Sequence, residues 1–175
     1  MTTANKLTMA RVAMIPLFMI LLYWRFPGHQ YVALAVFILA SATDFVDGYV
    51  ARHYNQITDF GKFMDPLADK VLVMAAMVWF VETGRMPGWA LLVVIARELS
   101  VTGLRLVAVD NGRVIAAGWS GKVKTASTML CNCLMLLPIP MALNTFCVAV
   151  IVLTTVYSGA EYFLVNRDVL KGGTR

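Results

Sequence analysis

Four aspartates carry the most chemistry in this sequence: Asp44, Asp47, Asp65 and Asp69. Each lies within or at the end of an apolar segment, where a carboxylate is expensive, so each reads first as a functional group. Asp44 and Asp47 are spaced i,i+3, and Asp65 and Asp69 i,i+4, so each pair shares a helix face. The two segments are adjacent in sequence and joined by a short link. They must run antiparallel and bring all four carboxylates to one end. Four converging carboxylates repel and partly protonate unless a cation neutralises them. Oxygen donors with no nearby His or Cys suit Mg²⁺, Mn²⁺ or Ca²⁺ rather than zinc. The competing reading is a set of structural ion pairs with Arg52, Lys62 and Lys70.

Small and basic residues flank the acids. Gly48 and Ala51 fall on the face of Asp44 and Asp47, and Gly61 lies one turn before Asp65, so a ligand or backbone can approach closely. Arg52 and Lys62 can meet phosphate oxygens. The second half of the chain adds Arg97 and Arg105 within one apolar segment, and Lys122 and Lys124 at the start of the next. An unpaired Arg97 near mid-membrane is costly. Cations from two helices fit an anionic acceptor, such as a phosphorylated alcohol, better than a neutral one. An internal pair of Arg97 with Glu98 or Glu161 competes with this reading, as does interfacial snorkelling of Lys122 and Lys124.

The elements that position these groups are set by composition. The chain has 175 residues, 59% hydrophobic and 14% charged, with a mean hydropathy of +0.72. A soluble domain is about 25% charged. An ordinary soluble globule, a disordered chain and a disulfide scaffold are therefore disfavoured. The expected architecture is all-α: one domain over residues 1–175, a short polar juxtamembrane start (Thr2 to Lys6) and six transmembrane helices. The spans fall near Leu7–Trp24, Tyr31–His53, Gly61–Val81, Trp89–Val109, Gly121–Leu137 and Asn144–Val165. No charge occurs between Lys124 and Glu161, and Pro138 with Pro140 splits that stretch into a hairpin. Pro66 is expected to start or bend the third helix.

Six spans put both termini on one side. Lys6, Arg11, Arg52, Lys62, Arg113, Lys122, Lys124, Arg167, Lys171 and Arg175 collect there, against Arg25 and Arg85 opposite. The positive-inside rule makes the first side cytoplasmic. Trp24, Trp79 and Trp89 are expected in an outer aromatic belt. The first apolar run lacks a cleavage site and reads as a retained helix. Cys131, Cys133 and Cys147 read as small hydrophobes, and His29 and His53 as surface residues. The net charge of +5 is spread between apolar segments, which fits anionic lipid and phosphate partners rather than nucleic acid.

The run Asp44-Phe-Val-Asp47-Gly48-Tyr-Val-Ala51-Arg52, eight residues, then Gly61-Lys-Phe-Met-Asp65-Pro-Leu-Ala-Asp69 fills every fixed position of D-x2-D-G-x2-A-R-x8-G-x3-D-x3-D. It resembles the signature of the CDP-alcohol phosphotransferases. That resemblance implies a six-helix membrane enzyme, commonly a homodimer, with a cytoplasm-facing site that releases CMP from a CDP-linked donor. It also implies two metal ions (Mg²⁺ or Mn²⁺) on Asp44, Asp47, Asp65 and Asp69, with Asp69 as general base. Gly48, Ala51, Arg52, Thr58 and Gly61 are implied contacts to the cytidine diphosphate, joined by Asn5 and Thr8. The segments Ala96-Arg97-Glu98-Leu-Ser-Val-Thr-Gly103-Leu-Arg105 and Gly121-Lys122-Val-Lys124-Thr125 are similar to those of a bacterial subfamily, the phosphatidylglycerophosphate synthases, as is Asp65-Pro-Leu-Ala-Asp69-Lys70. This implies CDP-diacylglycerol as donor, glycerol 3-phosphate as acceptor held by Arg97, Arg105, Lys122 and Lys124, and a place in the bacterial inner membrane. Phosphatidylglycerol, inositol phosphate and serine are alternative acceptors. A small cation transporter using the aspartates is the reading from another class. The absence of an inverted repeat and the clustering of the acids at one end disfavour it.

Overall fold

Proline and glycine punctuate the chain into helices. A computed structural model describes the backbone of residues 3–24, 26–53, 59–110, 112, 115–116 and 118–170, and the side chains of 9–24, 26–43, 64, 67–109, 112, 115–116 and 118–169. The elements are α1 (Thr3–Tyr23), α2 (His29–His53), α3 (Asp59–Glu82), α4 (Gly88–Asp110), α5 (Trp119–Leu136), α6 (Met141–Val165) and the short α7 (Arg167–Leu170). No strand occurs among the described residues.

The breaks have local causes. Gly84 takes φ +70°, a left-handed conformation that glycine tolerates, and closes α3 while the Arg85 and Met86 amides bond the Phe80 carbonyl. Pro138 excludes a helical residue before it, and Leu137 is extended at φ −81°, ψ 158°. Pro140 is also extended and precedes the first residue of α6.

Two expectations about boundaries change. The polar start does not lie outside α1: from Thr3 onward it is helical. Pro66 does not start α3, which begins seven residues earlier at Asp59 and continues through it.

α1 packs on α2 and α3, α5 on α6, and α4 on α6. The halves join where α3 meets α4 and α5, and where α2 meets α5. Phe18 and Leu22, Phe37, Leu72, Met77 and Phe80, Val94, Met135 and Leu136, and Ile151 fill the shared core. Ala33, Ala40, Ala76 and Ala90 are fully buried, and such small residues let helix backbones come close. Val101, Leu104 and Ala108 form a second cluster with Tyr162 and Val169. Among the described residues, α6 is the helix long and apolar enough by itself to cross a membrane.

A polar node ties the end where α3 meets α4. Arg85 Nη1 donates to the carbonyls of Met135 (2.7 Å) and Leu137 (3.2 Å), and its guanidinium lies 5.3 Å from the Trp79 ring centre. Asn144 Nδ2 donates to the Arg85 carbonyl. Burial lowers the Arg85 pKa from its ordinary value, yet a guanidinium stays charged. Nearby, the Tyr23 hydroxyl donates to Glu82 at 2.5 Å.

Three placements differ from expectation. Trp79 is 5% exposed and sits in the core, whereas Trp24 and Trp89 are exposed as a belt requires. His29 is half-buried, edge-on to Phe26 and Trp79. Arg11 is not a rim cation but fully buried. The three cysteines are free, with Cys131 and Cys147 buried.

Candidate functional site

Lys70 and Asp69 leave α3, Arg97, Glu98 and Arg105 leave α4, and Lys124 leaves α5, all toward one chamber. Its volume is about 230 Å³. Val73, Met74, Val94, Val101 and Met129 form its apolar wall, and Thr102, Thr125 and Thr128 add hydroxyls. The chamber lies far from the Arg85 node. Lys70 and Glu82 stand twelve positions apart on α3, which is about 18 Å along a helix axis.

Helical register brings the charged groups together. Glu98 sits at mid-length in α4, and its Oε1 accepts from Lys124 Nζ at 2.6 Å and from Arg97 Nη1 at 2.9 Å. Its Oε2 lies 3.6 Å from Lys70 Nζ, which also donates to Thr102 Oγ1 at 2.6 Å. Arg97 Nη2 donates to Ser158 Oγ on α6. Arg105 Nε donates to the Tyr162 hydroxyl at 3.0 Å, with the guanidinium 5.5 Å from the ring centre. Lys124 is 6% exposed. A cation that deep is tolerable only with charged or hydrogen-bonding partners.

Room for Arg97 is made by glycine. A Cβ on Gly159 would lie 3.2 Å from Arg97 Cγ, tighter than ordinary contact, whereas one on Gly121 would lie at an ordinary 3.7 Å from Arg97 Nη2.

The structure thus gathers Asp69, Arg97, Arg105 and Lys124 around one chamber. Lys122 is exposed and does not line it. Alternate residues at the start of a helix point about 200° apart, and Lys124 takes the inward position. The side chains of Asp44, Asp47, Asp65, Asn5, Thr8, Gly48, Ala51, Arg52 and Gly61 lie outside the described set, although all these positions are helical. Thr58 lies outside the described residues altogether. Among the described residues no group of three His, Cys, Asp or Glu gathers as a metal site.

Sequence reasoning named Glu98 only as a partner for Arg97 and Lys70 only as a partner for the aspartates. It met Thr102 and Thr125 only inside the two subfamily-like segments, without a role, and missed Thr128, Ser158, Gly159 and Tyr162. Glu98 had one available signal: it is the sole carboxylate in the interior of α4. Thr128, Ser158, Gly159 and Tyr162 had none, because each matters through the helix it faces.

The sequence that builds this all-helical bundle matches a known family over most of its length. The family model for CDP-alcohol phosphatidyltransferase matches residues 1–157. The chain belongs to the CDP-alcohol phosphatidyltransferase family and is a transferase. It is 45% identical over 185 aligned positions to the CDP-diacylglycerol–glycerol-3-phosphate 3-phosphatidyltransferase of Bacillus subtilis, covering 95% of this chain and 96% of the relative. It is 39% identical to a probable phosphatidylglycerophosphate synthase of Mycobacterium tuberculosis, covering 98% of this chain and 84% of that one. It is 40% identical over 129 residues to the Escherichia coli CDP-diacylglycerol–glycerol-3-phosphate 3-phosphatidyltransferase, covering 71% and 70% of the two chains.

Proposed function

We propose that this protein transfers the phosphatidyl group of CDP-diacylglycerol to glycerol 3-phosphate, giving phosphatidylglycerophosphate and CMP. The observation that carries the reading is the convergence of Lys70, Arg97 and Lys124, from three helices, on the chamber that Asp69 lines. A neutral alcohol has no use for that cation set, whereas a phosphomonoester does. The names of the relatives from Bacillus subtilis and Escherichia coli point to the same pair of substrates.

Asp69 accepts the proton of the acceptor hydroxyl, which requires it to stand within hydrogen-bond reach of that oxygen. The acceptor's phosphate is held by Arg97, Arg105 and Lys124, with Lys122 as an outer basic residue. Holding it fixes the hydroxyl for attack on the phosphorus that bears the lipid alkoxide, with CMP leaving. The apolar wall limits water, the competing nucleophile. Asn5, Thr8, Gly48, Ala51, Arg52, Thr58 and Gly61 hold the cytidine diphosphate.

Asp44, Asp47, Asp65 and Asp69 would hold two divalent ions, Mg²⁺ or Mn²⁺. The donor set fits: positions 44 and 47 share a face of α2, 65 and 69 share a face of α3, and all four offer only hard carboxylate oxygens. Bound there, the ions supply charge neutralisation to the diphosphate and the leaving phosphate.

The protein is a single domain of six spans in the bacterial inner membrane, with both termini and the chamber on the cytoplasmic side, and it works as a homodimer. Large exposed apolar side chains such as Leu92, Leu99, Leu106, Leu130, Phe146, Leu153 and Leu164 support the placement in a membrane, since lipid is their natural solvent. The direct test is CMP release by the purified protein across an acceptor panel. Glycerol 3-phosphate should far outrun phosphatidylglycerol, inositol phosphate and serine, and chelation should stop the reaction. Preference for a neutral alcohol would sink the proposal.

A further inference from the structure

Glu98 is the point on which cations from three helices converge, yet the reaction as described gives it no task. Its carboxylate is 13% exposed and accepts from Lys124 and Arg97, with Lys70 at 3.6 Å. Three cations crowded into a low-dielectric chamber repel one another. A carboxylate among them removes that repulsion and fixes where each sits.

Glu98 does not exhaust their donors. An ammonium carries three N–H groups and a guanidinium five. Lys124 gives one hydrogen bond to Glu98. Arg97 uses Nη1 on Glu98 and Nη2 on Ser158, while its Nε is buried with no partner among the described residues. A buried donor left unsatisfied is unfavourable and points to a group that completes it. The lining carries four cations, Lys70, Arg97, Arg105 and Lys124, against two carboxylates, Asp69 and Glu98, which leaves two positive charges in excess, the charge of a phosphomonoester dianion with the sign reversed. Gly159 keeps the space beside Arg97 Cγ clear.

We infer that Glu98 is the positioning residue of the acceptor site. It holds Lys70, Arg97 and Lys124 as one array whose spare donors, beside those of Arg105, receive the acceptor's phosphate. It acts through those cations and does not touch the reacting atoms. This rests on the acceptor-phosphate reading above.

The experiment compares purified full-length wild type, Glu98→Gln and Glu98→Asp by two readouts. The first is the thermal shift caused by inorganic phosphate, which does not depend on which alcohol is the acceptor. The second is KM for glycerol 3-phosphate against KM for CDP-diacylglycerol. Phosphate should raise the wild-type Tm, should fail to raise that of Glu98→Gln, and should partly raise that of Glu98→Asp. KM for glycerol 3-phosphate should rise at least about tenfold in Glu98→Gln, because the cations that hold its phosphate lose their fixed positions. KM for CDP-diacylglycerol should stay within about twofold.

Several results would overturn the inference: a full phosphate shift in Glu98→Gln, both KM values rising together, or a wild type indifferent to phosphate. A wild type stabilised by phosphate through Glu98, but releasing no CMP with glycerol 3-phosphate, would support the role of Glu98 and sink only the acceptor's identity. If Glu98→Gln does not fold, Glu98→Asp decides: a reduced phosphate shift supports the inference and an undiminished one overturns it.

Discussion

Gly159 on α6 sits against Arg97 on α4, so closely that a Cβ there would meet Arg97 Cγ at 3.2 Å. That is tighter than ordinary packing, and one of the two must move by a few tenths of an ångström. Arg97 is tethered at both ends of its guanidinium, to Glu98 and Ser158, so the motion is passed into the chamber. Gly159→Ala should therefore fold and lose about three- to tenfold in kcat/KM for glycerol 3-phosphate, since small misplacements are expensive in a positioned site. Steady-state kinetics of CMP release check this, and unchanged kinetics would place Arg97 outside the working site.

Asp69→Asn keeps the shape of the side chain and removes its basicity. CMP release should fall by about 10²- to 10⁴-fold, the usual worth of a positioned base. The phosphate-induced thermal shift should survive, because the cations are untouched. Retained turnover would assign the proton to another group.

Lys124 and Lys122 are two residues apart but only Lys124 lines the chamber. Lys124→Ala should raise KM for glycerol 3-phosphate about tenfold or more, because it strips a buried contact to an anion. Lys122→Ala should have much the smaller effect. An equal effect from both would mean that the acceptor binds across the start of α5 rather than inside.

Arg85→Leu removes the group that caps α5 and lies over Trp79. Hydrogen bonds from a charged donor are worth about 1.5–3 kcal/mol each, so the detergent-solubilised protein should lose several degrees of Tm. KM for either substrate should stay near wild type in the surviving fold, as thermal scans and kinetics on one preparation will tell.

Much of this molecule can be read from its chain, and the unreadable part has a physical reason. The helix ends were legible because Gly84, Pro138 and Pro140 act on their own neighbours. The spacing of the four aspartates was legible because i,i+3 and i,i+4 define a face before any packing is known. The extended start of α1 was not, since its polar residues carry no stop signal. Trp79 was misplaced because proximity to a helix end does not tell which face turns inward. Glu98 was seen as a neighbour of Arg97 but not as a hub, because Lys70 and Lys124 reach it only once α3, α4 and α5 have packed. Gly159 offered nothing until the facing residue was known.

The Arg85 node lies at one end of the bundle, and the chamber opens from its mid-length. The node knits α3, α5 and α6 through backbone carbonyls, while the chamber is held by side chains around a hollow. Endurance and turnover are thus written into different latitudes of one short molecule. Changes near the node should register on a calorimeter and changes near the chamber on a stopwatch, so either property can be tuned with little disturbance to the other.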